Sequence, residues 1–334
     1  MNRIKNNRVS AGTLVVSLFL LALLSGMKCI AEESDGYLKT TDGVRLFYRK
    51  IGNGPEWVLV PNGHYLIKDF SQLVDSSHVF IFYDLRNRGR SDQVTDPEKL
   101  KGGIHLDVED LETVRRHFNI EKAAIIGHSY IGLMMALYAM KYPMHVERLI
   151  QIDASPPEFD KEYPAHLRTT DTALNFDIAK QVAAFSREAA KLGPEAACRA
   201  YWRIVRVFYV TNPDDAVKLD GYCELPNEQN AGRHFSVNIR PSIQALKITD
   251  ADIKKITMPV LVIHGTVDRA VPYGAGREWA LRLPRARLVT IEGGSHYAWI
   301  EAPEKVFGAI RTFLDGQWPE EAKQVIRVDQ QATE

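Results

Sequence analysis

The chain has 334 residues, 45% hydrophobic and 25% charged, with 42 lysines and arginines against 42 aspartates and glutamates. That is ordinary globular composition, long enough for a large core. Balanced charge gives no electrostatic case for a nucleic-acid surface, and no long run of like charge marks a disordered tail.

The first segment differs from the rest. Arg3, Lys5 and Arg8 precede an apolar stretch from Leu14 to Leu24, interrupted only by Ser17, and Ala31 precedes Glu32 and Glu33. A basic start, an apolar middle and small residues before a polar stretch read as a secretory signal over residues 1–31, cleaved after Ala31 or after Gly26. The alternative is an uncleaved membrane tether, but the apolar stretch is short of the about 20 residues of a full span. Met27 and Lys28 before Cys29 do not fit a lipoprotein cysteine. Removing the segment takes away four cations and no anions, leaving a formal net charge of −4. Cys198 and Cys223 are then the only cysteines, and an exported compartment permits a disulfide between them.

Downstream, strand-like and helix-like segments alternate. Residues 44–52 and 57–63 read as strands, and 78–92 as a strand followed by a glycine-bearing loop. Residues 106–118 have helical spacing, with Leu106, Leu111, Val114 and Phe118 on one face. The apolar run Ala123-Ala124-Ile125-Ile126, a helix over 133–142 and a strand over 146–155 follow. The rhythm breaks at Pro156-Pro157 into a helical insert, residues 156–250, with helices expected over 177–192 and 196–210. It resumes with a buried strand (258–268), a helix (274–283), a strand (286–296) and a helix (303–314). Residues 316–334 read as a polar tail. Such alternation predicts an α/β core, 37–155 plus 251–315, with a mainly parallel sheet and helices on both faces. The insert falls where open α/β sheets bind ligands, over the C-terminal strand ends.

Three polar residues stand at such ends. Ser129 lies in "GHSYIG", between an apolar strand and a helix. A serine hydroxyl needs exposure, a base and oxyanion donors to act as a nucleophile. A tight strand-to-helix bend supplies exposure and turns backbone N–H groups toward the reaction centre. The motif departs from G-x-S-x-G, because Ile131 takes the second glycine's place and Gly132 follows it. Asp268 stands just past the strand in "VLVIHGTVDRAVP", and His296 just past the next in "IEGGSHYAWIEAPE". Singly, each is an ordinary turn or loop residue. Together they have the order nucleophile, acid, base.

On these residues the sequence resembles the α/β-hydrolase superfamily over about residues 37–315. "YDLRNRGRSD" is similar to a loop written D-x-R-G-x-G-x-S-D: Asp84, Arg86, Gly89, Ser91 and Asp92 fit, and Asn87 replaces a glycine. The resemblance implies that the insert is a cap over the active site. It implies an oxyanion hole from the Tyr130 N–H and a donor on the "PNGHYL" turn, with His64 expected and Asn62 or Tyr65 as alternatives. Asp153 is a substitute acid, since some relatives carry the acid after that strand, and His128 reads as structural. Serine at the elbow sets aside the epoxide- and halide-displacing members, which use aspartate there. No histidine–carboxylate spacing suggests a metal, no glycine spacing suggests a phosphate loop, and no cofactor is implied.

The expected activity is serine-dependent hydrolysis of a small carboxylic ester through an acyl-enzyme. "YCELPNEQN" faintly resembles caps of proline-iminopeptidase-like relatives, in which cap carboxylates receive a free amino terminus. Glu224 and Glu228 are its candidates, and a solvated pair is the plainer reading. A slow, receptor-like small-molecule binder on the same fold is the third alternative. Trp202, Phe208 and Tyr209 read as core before substrate wall. The expected partner is a small-molecule substrate, with no nucleic acid and no stable membrane span after processing; the oligomeric state is open.

Overall fold

The computed structural model describes residues 32–326; the expected signal segment and residues 327–334 of the tail lie outside them. In chain order the core contributes β1 (Glu33–Lys39), β2 (Arg45–Ile51), β3 (Glu56–Pro61), α1 (Gly63–Phe70), β4 (His78–Tyr83), α2 (Ile104–His117), β5 (Ala123–His128), α3 (Tyr130–Lys141) and β6 (Val146–Ile152). The insert follows, with α4 (Thr172–Ala189), α5 (Pro194–Val205), α6 (Ala231–His234), a π-helical turn (Phe235–Ile239), α7 (Arg240–Gln244) and α8 (Asp250–Ile253). The core closes with β7 (Val260–Gly265), α9 (Tyr273–Arg282), β8 (Ala286–Ile291), α10 (Ala298–Glu301) and α11 (Pro303–Leu314).

The strands form one eight-stranded sheet in the order β1-β2-β4-β3-β5-β6-β7-β8. Only β2 runs against its neighbours; the remaining pairings are parallel. Side chains of a strand alternate between faces, and here both faces are apolar. Leu59, Ile81, Ile125, Leu149 and Val262 pack under α2, α3 and α9. Val58, Val60, Phe82, Ile126, Ile152 and Ile263 pack under α1 and α11. This two-sided burial is why the central strands read as unbroken apolar runs.

Two elements escape the sequence pattern. β1 is an edge strand with Leu38 its one fully buried residue, so "ESDGYLK" shows no apolar alternation. α1 begins at once after β3, where a turn was expected. Gly63 permits this, because a Cβ there would sit 2.8 Å from the Phe82 Cβ. The tail departs from its expected polar character: Ala322 is buried, Trp318 packs on Phe313, and Lys323 pairs antiparallel with Leu288 of β8.

The order of pairing places a switch point between β3 and β5. From β3 the chain turns to β4 on one side, and β5 then returns to the other side of β3. Helices α1 and α2 leave on opposite faces, which opens a crevice at the C-terminal ends of β3 and β5. The insert leaves the sheet after β6 and returns before β7. Within it a disulfide joins Cys198 on α5 to Cys223 on the irregular segment before α6. No helix among the described residues is long and apolar enough to cross a membrane.

The disulfide spans 25 positions, and such a constraint on the unfolded chain is worth about 3–4 kcal/mol in the chain-entropy account. Replacing both cysteines with serine should lower the calorimetric midpoint of unfolding. An unchanged midpoint would place this part of the insert outside the cooperative unit.

Candidate active site

Ser129 follows β5 in a backbone conformation that L-residues rarely hold, with φ 59°. Such strain persists only where the surroundings fix it. The Ser129 N–H donates to the Ile152 carbonyl at 3.0 Å, and its own carbonyl accepts from Gly132 and Ser155 at 3.0 and 3.1 Å. The displaced glycine of "GHSYIG" also has a steric reason. A Cβ on Gly132 would lie 2.5 Å from that of Ala154, where α3 crosses the end of β6. The helix begins at Tyr130, so the Tyr130 N–H is among the donors left without an intrahelical partner.

The structure brings Ser129, His296 and Asp268 together. His296 Nε2 lies 3.0 Å from Ser129 Oγ, and Nδ1 lies 2.8 Å from Asp268 Oδ2. Asp268 is buried, and its Oδ1 accepts from the Ala270 and Val271 N–H groups at 2.7 and 2.9 Å. With the carboxylate accepting at both oxygens, His296 Nδ1 is the donor. Nε2 is then left to accept the serine proton.

Asp153 does not reach His296. Its carboxyl accepts from the Gly265 N–H at 2.9 Å and from the Ala298 N–H at 3.4 Å, so it braces the loops that carry the acid and the base. Burial, followed by the nearby charge of Asp268, pushes its pKa well above the usual carboxylate range. Asp153, His264 and Asp268 lie within 4.8 Å of one another, a spacing a metal could use. Yet both carboxyl groups are committed to N–H donors, and His264 Nε2 donates to the Val271 carbonyl at 3.0 Å.

His128 is structural, as its place beside the elbow suggests, and its partners fix its tautomer. Nε2 faces the His296 carbonyl at 2.7 Å and must carry the hydrogen, so Nδ1 accepts from the Tyr65 hydroxyl at 2.9 Å. Burial, then the proximity of His296, lowers its pKa well below the ordinary value and keeps it neutral. The loop that carries His296 is thus held through its backbone by a Tyr65–His128 strut. The residue types alone did not signal this.

The oxyanion turn departs from expectation. The His64 N–H donates to Asp84 Oδ1 at 2.8 Å and is not free for a substrate oxygen. The cause is that Asn62 adopts φ 61° and the chain enters α1 immediately, swinging the amide toward the end of β4. The remaining expected donors on this turn are Asn62 and Tyr65. The His64 side chain is buried, with Nε2 at 3.2 Å from Glu228 Oε2 and Nδ1 at 3.4 Å from Asp84 Oδ1.

The two cap glutamates separate. Glu224 is half exposed and pairs with Arg199 at 3.3 Å. Glu228 is buried and holds Arg88 through both oxygens, at 3.0 and 2.8 Å, and the Gly89 N–H at 2.8 Å. Burial works against its charge, but Arg88 and His64 outweigh it and hold the carboxylate below its ordinary range. Its neighbour Asn227 donates to the Ser91 carbonyl at 2.6 Å. The "YDLRNRGRSD" loop therefore docks the insert, a role that its glycine and arginines do not announce. Tyr209 packs on the buried Val210, Ala216 and Leu219 of the insert, as expected of a core residue, and also lies against the His296 imidazole, with ring centroids 5.6 Å apart.

The comparisons with known proteins agree with this fold. A family model described as alpha/beta hydrolase fold matches residues 54–303. The chain belongs to the α/β-hydrolase fold family. Among curated members it is 25% identical over 290 residues to the AB hydrolase superfamily protein YisY of Bacillus subtilis (strain 168), covering 83% of this chain and 98% of that protein. It is 30% identical over 132 residues to the proline iminopeptidase of Thermoplasma volcanium, but this covers only 37% of this chain and 43% of that one. Among solved structures, the meta-cleavage product hydrolase CumD of Pseudomonas fluorescens IP01 superposes with a TM-score of 0.64 at 19% identity, over 84% of this chain and 97% of that one. At that identity the likeness is one of fold.

His64 makes the site's surroundings sensitive to pH. Burial disfavours its imidazolium, but Glu228 and Asp84 outweigh this and raise its pKa above 6.5. The group therefore adds stability that is full below 6.5 and is lost as pH rises through the higher folded value. Thermal midpoints measured across this range should fall on the alkaline side, and His64→Gln should remove that part of the slope. A variant with the wild-type slope would show that His64 does not couple to folding.

Proposed function

We propose that the protein is a serine hydrolase that cleaves a small carboxylic ester through an acyl-enzyme. The observation that carries this reading is the unbroken Ser129–His296–Asp268 chain of contacts, at 3.0 and 2.8 Å, beside a helix N-terminus. His296 Nε2 takes the proton of Ser129 as the hydroxyl attacks the ester carbonyl. Asp268 holds the ring by Nδ1 and favours the imidazolium that forms. The Tyr130 N–H and a second donor from the Asn62–Tyr65 turn receive the developing oxyanion. His296 then gives its proton to the departing alkoxide, and water repeats the sequence on the acyl group.

Two observations bear on an aminopeptidase reading. The partial likeness to a proline iminopeptidase favours it. Against it, the Glu228 oxygens are already committed to Arg88, Gly89 and His64, and Glu224 is on the surface, which leaves neither cap carboxylate ready to grip an ammonium group. The ester reading is therefore preferred to the amide one. The intact triad likewise favours a turning-over enzyme over a receptor-like binder. Export is proposed with this activity, supported by the basic and apolar start of the chain and by the Cys198–Cys223 bridge, since disulfides persist in oxidising compartments.

The purified protein should react with a fluorophosphonate probe and turn over p-nitrophenyl esters faster than a proline arylamide. Ser129→Ala should abolish labelling and hydrolysis. Asp268→Asn should lower kcat by on the order of 10⁴, as in triads where the acid orients the base. Labelling of Ser129→Ala at the wild-type rate would overturn the assignment, and a faster arylamide rate would favour the peptidase.

A further inference from the structure

The catalytic acid and base sit on separate loops, after β7 and after β8, and both loops are fastened to one short stretch of the insert. Arg269, the residue after Asp268, donates from a guanidinium nitrogen to the Val210 carbonyl at 2.8 Å. The same side chain is mostly buried and lies 3.9 Å from Asp171, which caps α4. The next insert residue, Thr211, donates its hydroxyl to the Gly293 carbonyl at 2.7 Å. The Thr211 N–H donates to Glu301, whose other carboxylate oxygen accepts the N–H of Ser295, the residue before His296. The residue before Val210 is Tyr209, the ring that covers the imidazole. Three consecutive residues thus touch the acid loop, the base loop and the base itself.

We propose that the insert segment Tyr209-Val210-Thr211 is a positioning element for the triad, setting the Asp268–His296 geometry when the insert is seated on the core. This rests on the reading of these residues as a hydrolytic triad. The contacts divide the work unevenly. The bond from Arg269 is charge-assisted and largely screened from water, so it is worth more than a neutral exposed bond. The Thr211 bonds are more exposed to water, and the one to Glu301 ends on a carboxylate. Together the contacts hold the two loops in register while the insert is seated on the core. Small displacements of reacting groups are costly, because a misplacement of about 1 Å can lower the rate on the order of 100-fold.

The test uses the full-length protein, two disrupting variants and one conservative variant. Arg269→Met removes the charged donor and keeps the bulk, with Arg269→Lys as the conservative rescue. Thr211→Pro removes the N–H and the hydroxyl. Three readouts are taken beside a thermal midpoint: kcat and KM on a p-nitrophenyl ester, the rate of fluorophosphonate labelling, and the downfield proton resonance of the Nδ1–H shared by His296 and Asp268. The expected result is a kcat and labelling rate about 10- to 100-fold lower with KM within about twofold, partial recovery in Arg269→Lys, and a shifted or broadened resonance. A segment that only encloses substrate would raise KM and leave labelling and the resonance unchanged. That outcome, or wild-type values in both folded variants, overturns the proposal. The resonance does not depend on turnover. If it responds in the variants while the wild type neither labels nor hydrolyses, the positioning stands and the hydrolase reading falls.

Discussion

The parallel register of β5 to β8 is the constraint on which the site depends. His128, Ile152, Ile263 and Val289 stand side by side in the pairing, one row across the sheet at or within two residues of the strand ends. Ser129 is one residue beyond that row, Asp268 five and His296 seven. Groups 139 and 28 positions apart in sequence therefore need only short loops to meet. A slip of one residue in any of these pairings would displace Ser129, Asp268 or His296 along the strand by about 3.3 Å. The pairing that stabilises the sheet thus also fixes the reach of the loops that carry these residues.

Most of the core was legible in the sequence for the same reason. Strands buried on both faces write unbroken apolar runs, and the polar residues after those runs in β5, β7 and β8 were the three that meet. Features set by pairing or by tertiary contact, and not by a residue's own type, were not legible. β1 takes its conformation from pairing with β2, and its own exposed residues carry no period. The turn after β3 was expected to offer the His64 amide to a substrate, but Asp84 captures it, a long-range contact that residue types cannot reveal. Glu228 and Glu224 looked equivalent at four residues' spacing, and only burial against Arg88 distinguishes them.

The insert is attached to the core by two kinds of fastening. Near the oxyanion turn, Glu228 and Asn227 bind the loop 88–91 through a buried, charge-dense cluster with His64 and Arg88. Breaking such a pair strands a charge in a poorly solvated place, which makes that side rigid. Near the triad, the Thr211 contacts are exposed and cheaper to open. Helix α4 is exposed over most of its length, with Phe176 largely in solvent. The insert thus has a buried attachment at Arg88 and a second at the loops after β7 and β8, where the Arg269 bond is mostly buried and the Thr211 bonds are exposed.

The short pairing of Lys323 with Leu288 has a consequence for how copies of this chain behave toward one another. β8 ends the sheet, and its outer rim of amide and carbonyl groups would otherwise be a template for a foreign strand. The segment that returns from α11 occupies that rim with its own backbone, and the opposite rim, β1, carries Glu33, Asp35 and Lys39. Both margins of the sheet are thereby made poor surfaces for strand addition, so self-recruitment into extended assemblies is discouraged by the chain's own backbone around Lys323.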